Sequence, residues 1–366
     1  MTKLQDLFEE GGQSPWLDNL RRDWIEDGQL AALIGRGVRG ITSNPTIFAK
    51  AISGSDRYDE QFTAAIQSKS PSEAYWSLVA SDIEAAMKLL LPVYEQSGGH
   101  DGYVSLEVAP ALAHDAEATV AAALHLRERI SGPNLMVKVP GTKAGLVALR
   151  SLVGAGLSIN VTLLFSIDRY DQVVEAYISG LEDALASGID DLHLIAGVAS
   201  FFVSRVDSEI DARLTEQGSE EAMSARGKAA VAQAHVVYDH FRHLFSGPRW
   251  EVLAAHGAQV QRPLWASTST KNPSYPDLLY VDNLIGPHTV NTLPDATLEA
   301  FDDHGKVALT IANDVAGATA IIDGLSAFGI DLEVVANKLE DEGLHSFAQS
   351  FDDLLIELEA KAAQLK

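Results

Sequence analysis

The sequence predicts an α/β fold, a (β/α)8 TIM barrel with additional N- and C-terminal helices. Three observations point to it. Short apolar, β-branched runs alternate with helical patterns, which is how parallel β-α units read in sequence. Eight such runs occur, near residues 15–18, 40–43, 103–108, 135–139, 157–162, 193–199, 262–268 and 289–293. No G-x-G-x-x-G or G-x-x-x-x-G-K-[ST] follows a strand, which weighs against the doubly wound sheet, the main competitor. The chain, 1–366, reads as one barrel domain with C-terminal helices from about 331–366 packed on it.

In chain order, residues 1–13 read as a capping helix closed by Gly11-Gly12, and SPWLDNL is a short apolar run ending at Asp18. Helical content follows over 21–37. GITSNPTIF (40–48) is a strand that stops at Asn44-Pro45, and 56–97 is helical again. YVSLEVAP is a strand stopped by Pro110, and 115–130 is an alanine-rich helix with basic residues in its last turn. NLMVKVPGT (134–142) is a buried parallel strand closed by Pro140-Gly141. The helix TKAGLVALRSLVGAG leads to the strand LSINVTLLF (157–165), and DRYDQVVEAYISGLEDALASG is the next helix. LHLIAGVASFFVSR (192–205) is expected to start as a strand and bend near Ser200. Residues 205–246 form a helical excursion broken around Gln217-Gly218. RPLWASTSTKNP runs from a strand into a polar loop, and VNTLP is a short strand closed by proline. Residues 331–365 read as an amphipathic helix split near Gly343.

Composition narrows the class of function. At 366 residues and 46% hydrophobic, the chain can bury a sizeable core. It has no cysteine, hence no disulfide, thiol nucleophile or cysteine metal site. That suits a reducing compartment, and a cytoplasmic location is the expectation. MTKLQDLFEEGG lacks an apolar signal core, and no run of about eighteen apolar residues suggests a membrane span. With 51 acidic against 27 basic residues, the formal charge of −24 repels nucleic acid and anionic lipid. An anionic small substrate would need a local basic pocket.

The strand ends carry the chemistry. Side chains alternate across a strand, so Lys138 shares a face with Met136 while Val137 and Val139 take the other. A lysine there is costly unless it is paired or gives up its proton, and a free lysine amine attacks ketones to form Schiff bases. Catalytic groups of such barrels sit at C-terminal strand ends. Those ends carry Asp18, Asn44, Glu107, Lys138, the Asn160/Thr162 pair, Ser200 and the Ser269–Lys271 loop. A nucleophile ringed by carboxylates, amides and hydroxyls is what a Schiff-base site requires.

TSNPTIF, VSLEVAP, VKVPGT, INVTLLFS, GVASFFVSRVD and WASTSTKNP, in this order from about Ser14 to Pro294, resemble the transaldolases. The resemblance implies a class I Schiff-base barrel of the non-oxidative pentose phosphate pathway, working without a metal or other cofactor. Such an enzyme moves a dihydroxyacetone unit from a ketose phosphate (sedoheptulose 7-phosphate or fructose 6-phosphate) to an aldose phosphate (glyceraldehyde 3-phosphate or erythrose 4-phosphate). It places the Schiff base at Lys138 and the acid/base for carbon–carbon cleavage at Asp18. Glu107 and Thr162 would hold the water that relays protons. Asn44, Asn160 and Ser200 would bind the three-carbon unit, with Phe202 lining it. Arg205, Ser269 and Lys271 would take the phosphate. Many relatives have arginine where Lys271 stands; lysine binds phosphate as a point charge rather than a fork. The implied partners are small sugar phosphates, with neither nucleic acid nor membrane, for a monomer or homodimer. Two other functions stay open: an aldolase of the fructose-6-phosphate type that releases dihydroxyacetone to water, and a non-catalytic sugar-phosphate-binding barrel.

Each residue also has a plainer reading. Asp18 could cap the helix near 19–24, Asn44 could be a turn residue, and Glu107 could simply pair with Lys138. Asn160 and Thr162 could be a hydrogen-bonded core layer, and Ser200 could serve a bend. Arg205 could pair with Asp207 or Glu209, and Lys271 could be a solvated loop residue. His235, His240 and His243 lie close together, but no H-E-x-x-H occurs, and a helix surface is the expectation for them.

Overall fold

Eight parallel strands close into a barrel in the computed structural model, which describes residues 2–365. They are β1 (Gln13–Leu17), β2 (Ile41–Thr42), β3 (Val104–Glu107), β4 (Leu135–Pro140), β5 (Ile159–Leu164), β6 (Gly197–Phe202), β7 (Gln261–Ala266) and β8 (Thr289–Leu293). The order around the barrel is the order in the chain, and β1 closes on β8 through five register pairs from Gln13↔Thr289 to Leu17↔Leu293. The open doubly wound sheet is thereby excluded. No single helix among the described residues is long and apolar enough to cross a membrane.

Two strands differ from the sequence expectation. The apolar run at 192–205 is longer than its barrel strand: β6 begins only at Gly197, because His193 is half exposed against Asp191 and the ladder starts where Gly197 meets Ile159 and Gln261. A Cβ at Gly197 would lie 2.6 Å from the Tyr177 ring, so glycine is what lets the helix Ile167–Ala186 pack there. β6 does not bend at Ser200 but runs on through Phe202, paired to Ala266. The second difference is in β5, which bulges between Val161 and Leu164, with Leu163 left-handed at φ 62.

Below the barrel, the buried Asp101 ties four segments together. It accepts hydrogen bonds from Ser14 (2.7 Å), Trp16 Nε1 (3.1 Å), Arg39 (2.8 Å) and Arg262 (3.1 Å). Burial works against its charge, but Arg262 and Arg39 hold the carboxyl below the usual range.

The largest departure is at the C-terminus. The expected split at Gly343 is absent, and Leu332–Leu365 is one unbroken helix. Val335, Leu339, Gly343, Phe347, Leu354 and Leu358 recur at helical spacing and form its buried face. Tertiary packing therefore outweighs the weak helix propensity of one glycine. Gly343 also lies close against the barrel mouth. A Cβ there would lie 2.8 Å from Leu163 Cδ2 and 3.4 Å from Arg205 Nη1. Helix propensity alone would favour Gly343→Ala by about 0.8–1.0 kcal/mol. Overpacking costs about 1–3 kcal/mol and should win. A lower denaturation midpoint for Gly343→Ala is expected, and a higher one would show that this helix stands off the barrel.

Candidate active site at the barrel mouth

Of the sequence-selected residues, Asp18, Asn44, Lys138, Thr162, Ser200, Phe202, Arg205, Ser269 and Lys271 line one cleft at the C-terminal ends of the strands. They come from six strands or the residues just past them. Parallel register explains part of the grouping: Glu107 pairs with Lys138, Lys138 with Asn160, and Pro140 with Thr162.

Lys138 is 4% exposed. Its Nζ lies 3.3 Å from Glu107 Oε2 and donates to the Ser43 carbonyl at 3.1 Å. Glu107 Oε2 accepts no well-aligned hydrogen bond, and neither does the hydroxyl of Thr162 engage any protein group, although both are buried. Burial raises the pKa of Glu107, and the charge of Lys138 opposes that rise.

Asp18 follows the last residue of β1, and its backbone N–H donates to the Leu293 carbonyl at 2.9 Å. It is no helix cap: the next helix starts at Arg22, with Arg21 in the capping position. Burial raises its pKa, while Lys138 and a hydrogen bond from Thr42 lower it. That bond is 2.7 Å long, and Thr42 is itself 2.6 Å from the Thr292 hydroxyl. A hydroxyl has one proton to give, so the carboxylate fixes the direction: Thr292 donates to Thr42, and Thr42 to Asp18.

Asn44 both lines the cleft and caps a helix. Its Oδ1 caps the Pro45–Ser53 helix through Ile47 N–H at 2.9 Å, which leaves the amide for the cleft. Asn160 is not in the cleft. It is fully buried, donates to Ser105 at 3.1 Å and accepts from Ser200 at 2.7 Å, the core layer its plainer reading described. Ser200 thus has a bonding reason for its position rather than a bend.

Arg205 pairs with neither Asp207 nor Glu209. Glu209 takes Arg213 and Lys338 instead. Among the described residues no side chain forms an ion pair with the Arg205 guanidinium, which stands 5.1 Å over the Phe202 ring, and its burial lowers its pKa. Lys271 is exposed, with Nζ 2.6 Å from Ser269 Oγ. Arg205, Ser269 and Lys271 thus put two cations and a hydroxyl on the wall of one cleft. The histidines have other partners: His240 meets Asp171 at 3.0 Å and His235 the Asn283 carbonyl at 3.0 Å.

Thr42, Thr292 and Phe347 are among the cleft residues that the sequence reading missed, with Ala266, Ser267 and Pro294. Strand alternation from Asn44 back to Thr42 was a usable signal for the first. Phe347 had none, since it lies on the C-terminal helix.

A sequence profile of the transaldolase/fructose-6-phosphate aldolase family matches residues 15–358. The chain is 50% identical over 358 residues to a transaldolase of Parafrankia sp., covering 97% of each chain. It is 48% identical to a transaldolase of Frankia alni, over 94% of this chain and 93% of that one. It is 47% identical to a transaldolase of Mycolicibacterium smegmatis, over 94% and 93%.

Thr42 supplies a pH test. If Asp18 must be ionised to act as base, activity falls as pH drops through its raised pKa. Thr42→Val removes a bond that favours the charged form, so the acid limb of the kcat/KM profile should move to higher pH. An unmoved limb would detach Thr42 from the base.

Proposed function

The chain belongs to the transaldolase/fructose-6-phosphate aldolase family and is a transaldolase; we propose that Lys138 is its nucleophile and that the cleft holds a phosphorylated ketose. The observation that carries this reading is the buried Lys138 ammonium, 3.3 Å from Glu107, sharing one cleft with Asp18 and the unpaired Arg205.

Glu107 takes a proton from Lys138 by way of a water held against Thr162; the ion pair of Glu107 Oε2 with Lys138 and the buried Thr162 hydroxyl without a protein partner support that role. The free amine then attacks the C2 carbonyl of the ketose, and water leaves as the imine forms. Asp18 takes the C4 hydroxyl proton, the C3–C4 bond breaks, and its electron pair moves into the protonated imine to give an enamine. The aldose phosphate departs, C3 of the enamine attacks the aldehyde of a second aldose phosphate as Asp18 returns its proton to the new C4 oxygen, and water hydrolyses the imine to release the ketose phosphate and free Lys138. The imine is the electron sink throughout. Asn44 and Ser200 face the three-carbon unit, Asn160 holds Ser200 from behind, and Phe202 walls it. Arg205, Ser269 and Lys271 take the phosphate. We place the reaction in the non-oxidative pentose phosphate pathway and the cytoplasm, with sugar phosphates as partners.

Transfer rather than loss to water requires a dry intermediate. Phe202 and Phe347, 7% and 5% exposed, support the transferase reading by walling the cleft. Product analysis with and without an acceptor aldose separates it from an aldolase that releases dihydroxyacetone.

Borohydride trapping with fructose 6-phosphate tests the nucleophile. Lys138→Met nearly conserves volume and removes a buried charge, so it should fold and lose all labelling. A variant that still labels at the normal rate would move the covalent site elsewhere. Asp18→Ala separates the steps. Losing a general base costs about 10²–10⁴-fold in turnover. Imine formation should survive, so the trapped adduct should have the mass of the whole six-carbon sugar phosphate. Trapping of the three-carbon fragment alone at the wild-type rate would remove Asp18 from cleavage and make Glu107 the next candidate.

A further inference from the structure

The helix that begins beside Arg205, Ser204–Gln217, carries two buried carboxylates one turn apart, Asp207 and Asp211, 1% and 8% exposed. Neither forms an ion pair among the described residues, and their four oxygens are all engaged by neutral donors. Asp207 accepts from Tyr280 at 3.0 Å and from Ala230 N–H at 2.8 Å. Asp211 accepts from Tyr275 at 2.6 Å and from Gly227 N–H at 2.9 Å. Two like charges buried together are expensive, and burial pushes Asp207 up to about 6. Apolar side chains would hold this helix in place at lower cost. What carboxylates add is direction, because each fixes a hydroxyl and a backbone N–H at one point.

The fixed hydroxyls belong to the segment that carries Ser269 and Lys271. Tyr275 lies inside that loop and Tyr280 just after it. At its start, Ser267 is left-handed at φ 56, and its carbonyl accepts from Ser204 N–H at 3.0 Å while the two hydroxyls meet at 2.9 Å. Between the ends, Thr270 donates to the carbonyls of Pro276 (2.9 Å) and Asp277 (3.0 Å). The Tyr275 ring also packs on Gly227, where a Cβ would come within 2.8 Å. The loop is therefore stapled at both ends to the helix that presents Arg205, and its middle is braced to the stapled end next to Ser269 and Lys271.

We propose that Asp211 with Tyr275, and Asp207 with Tyr280, are positioning residues that set the spacing between Arg205 and the Ser269–Lys271 loop, and so tune affinity for the substrate phosphate. The inference rests on the reading above that these three residues take that phosphate.

The test compares borohydride trapping with fructose 6-phosphate and with dihydroxyacetone, and inhibition by inorganic phosphate. Tyr275→Phe keeps the ring and removes one hydrogen bond to a charged group. It should raise half-saturation for fructose 6-phosphate about five- to tenfold, leave the maximal trapping rate within about twofold, and leave dihydroxyacetone unaffected. Inhibition by phosphate should weaken in parallel. Asp211→Ala should behave likewise, while Asp211→Asn, which can still engage Tyr275, should recover most of the loss. Arg205→Ala provides the reference, with a larger loss confined to the phosphorylated substrate. The inference is overturned if Arg205→Ala separates the two substrates while Tyr275→Phe changes both equally or neither. If Arg205→Ala fails to separate them, the phosphate reading itself falls, and the inference with it.

Discussion

The pairing of Gln13–Leu17 with Thr289–Leu293 joins the first strand to the last, and the site depends on it. The same closure reaches one residue further, where Asp18 N–H bonds the Leu293 carbonyl. It also brings Thr292 against Thr42, so the hydroxyl chain that ends on Asp18 is assembled from β8, β2 and the end of β1. An open sheet with the same strands would leave Asp18 at the end of an edge strand and Thr292 at the end of the opposite edge. In the closed barrel Asp18 and Lys138 line one cleft, where the charge of Lys138 opposes the rise that burial imposes on the Asp18 carboxyl.

That cleft is an electrostatic exception in an acidic chain. Lys138 is buried against Glu107 and Arg205 is partly buried beside Phe202, while the formal charge of the whole is −24. Burial raises both carboxyls, which brings their acid and base forms closer in energy than they would be in water. Arg205 differs in kind, since among the described residues it has no carboxylate partner and stands over the Phe202 ring.

Rigidity around the cleft has a local cost. Leu163 and Ser267 both adopt left-handed backbone, a strained state for residues with a Cβ, and both lie just past strand residues that line the site. Each is held by its surroundings. Leu163 lies under the C-terminal helix at Gly343, and Ser267 is bonded to Ser204. The long helix and the loop after β7 therefore belong to the active-site frame rather than to its periphery.

Local pattern made much of this legible in the sequence. A short β-branched run that stops at a polar residue and a proline is a property of a few consecutive residues. Lys138, Glu107, Asn44 and Thr162 could be placed at strand ends for that reason, and eight such runs indicated the barrel. Tertiary structure decided what was not local. Whether Asn160 faces substrate or the core depends on the hydroxyls of Ser105 and Ser200, brought to it from two other strands. Whether Gly343 breaks a helix or lets it approach Leu163 depends on the barrel beneath it. Phe347 reaches the cleft only because that helix stays unbroken, and Asp207 and Asp211 hold a loop far along the chain. Strand alternation is written in neighbouring residues, whereas which faces meet is set by closure and register, which exist only once the whole barrel has formed.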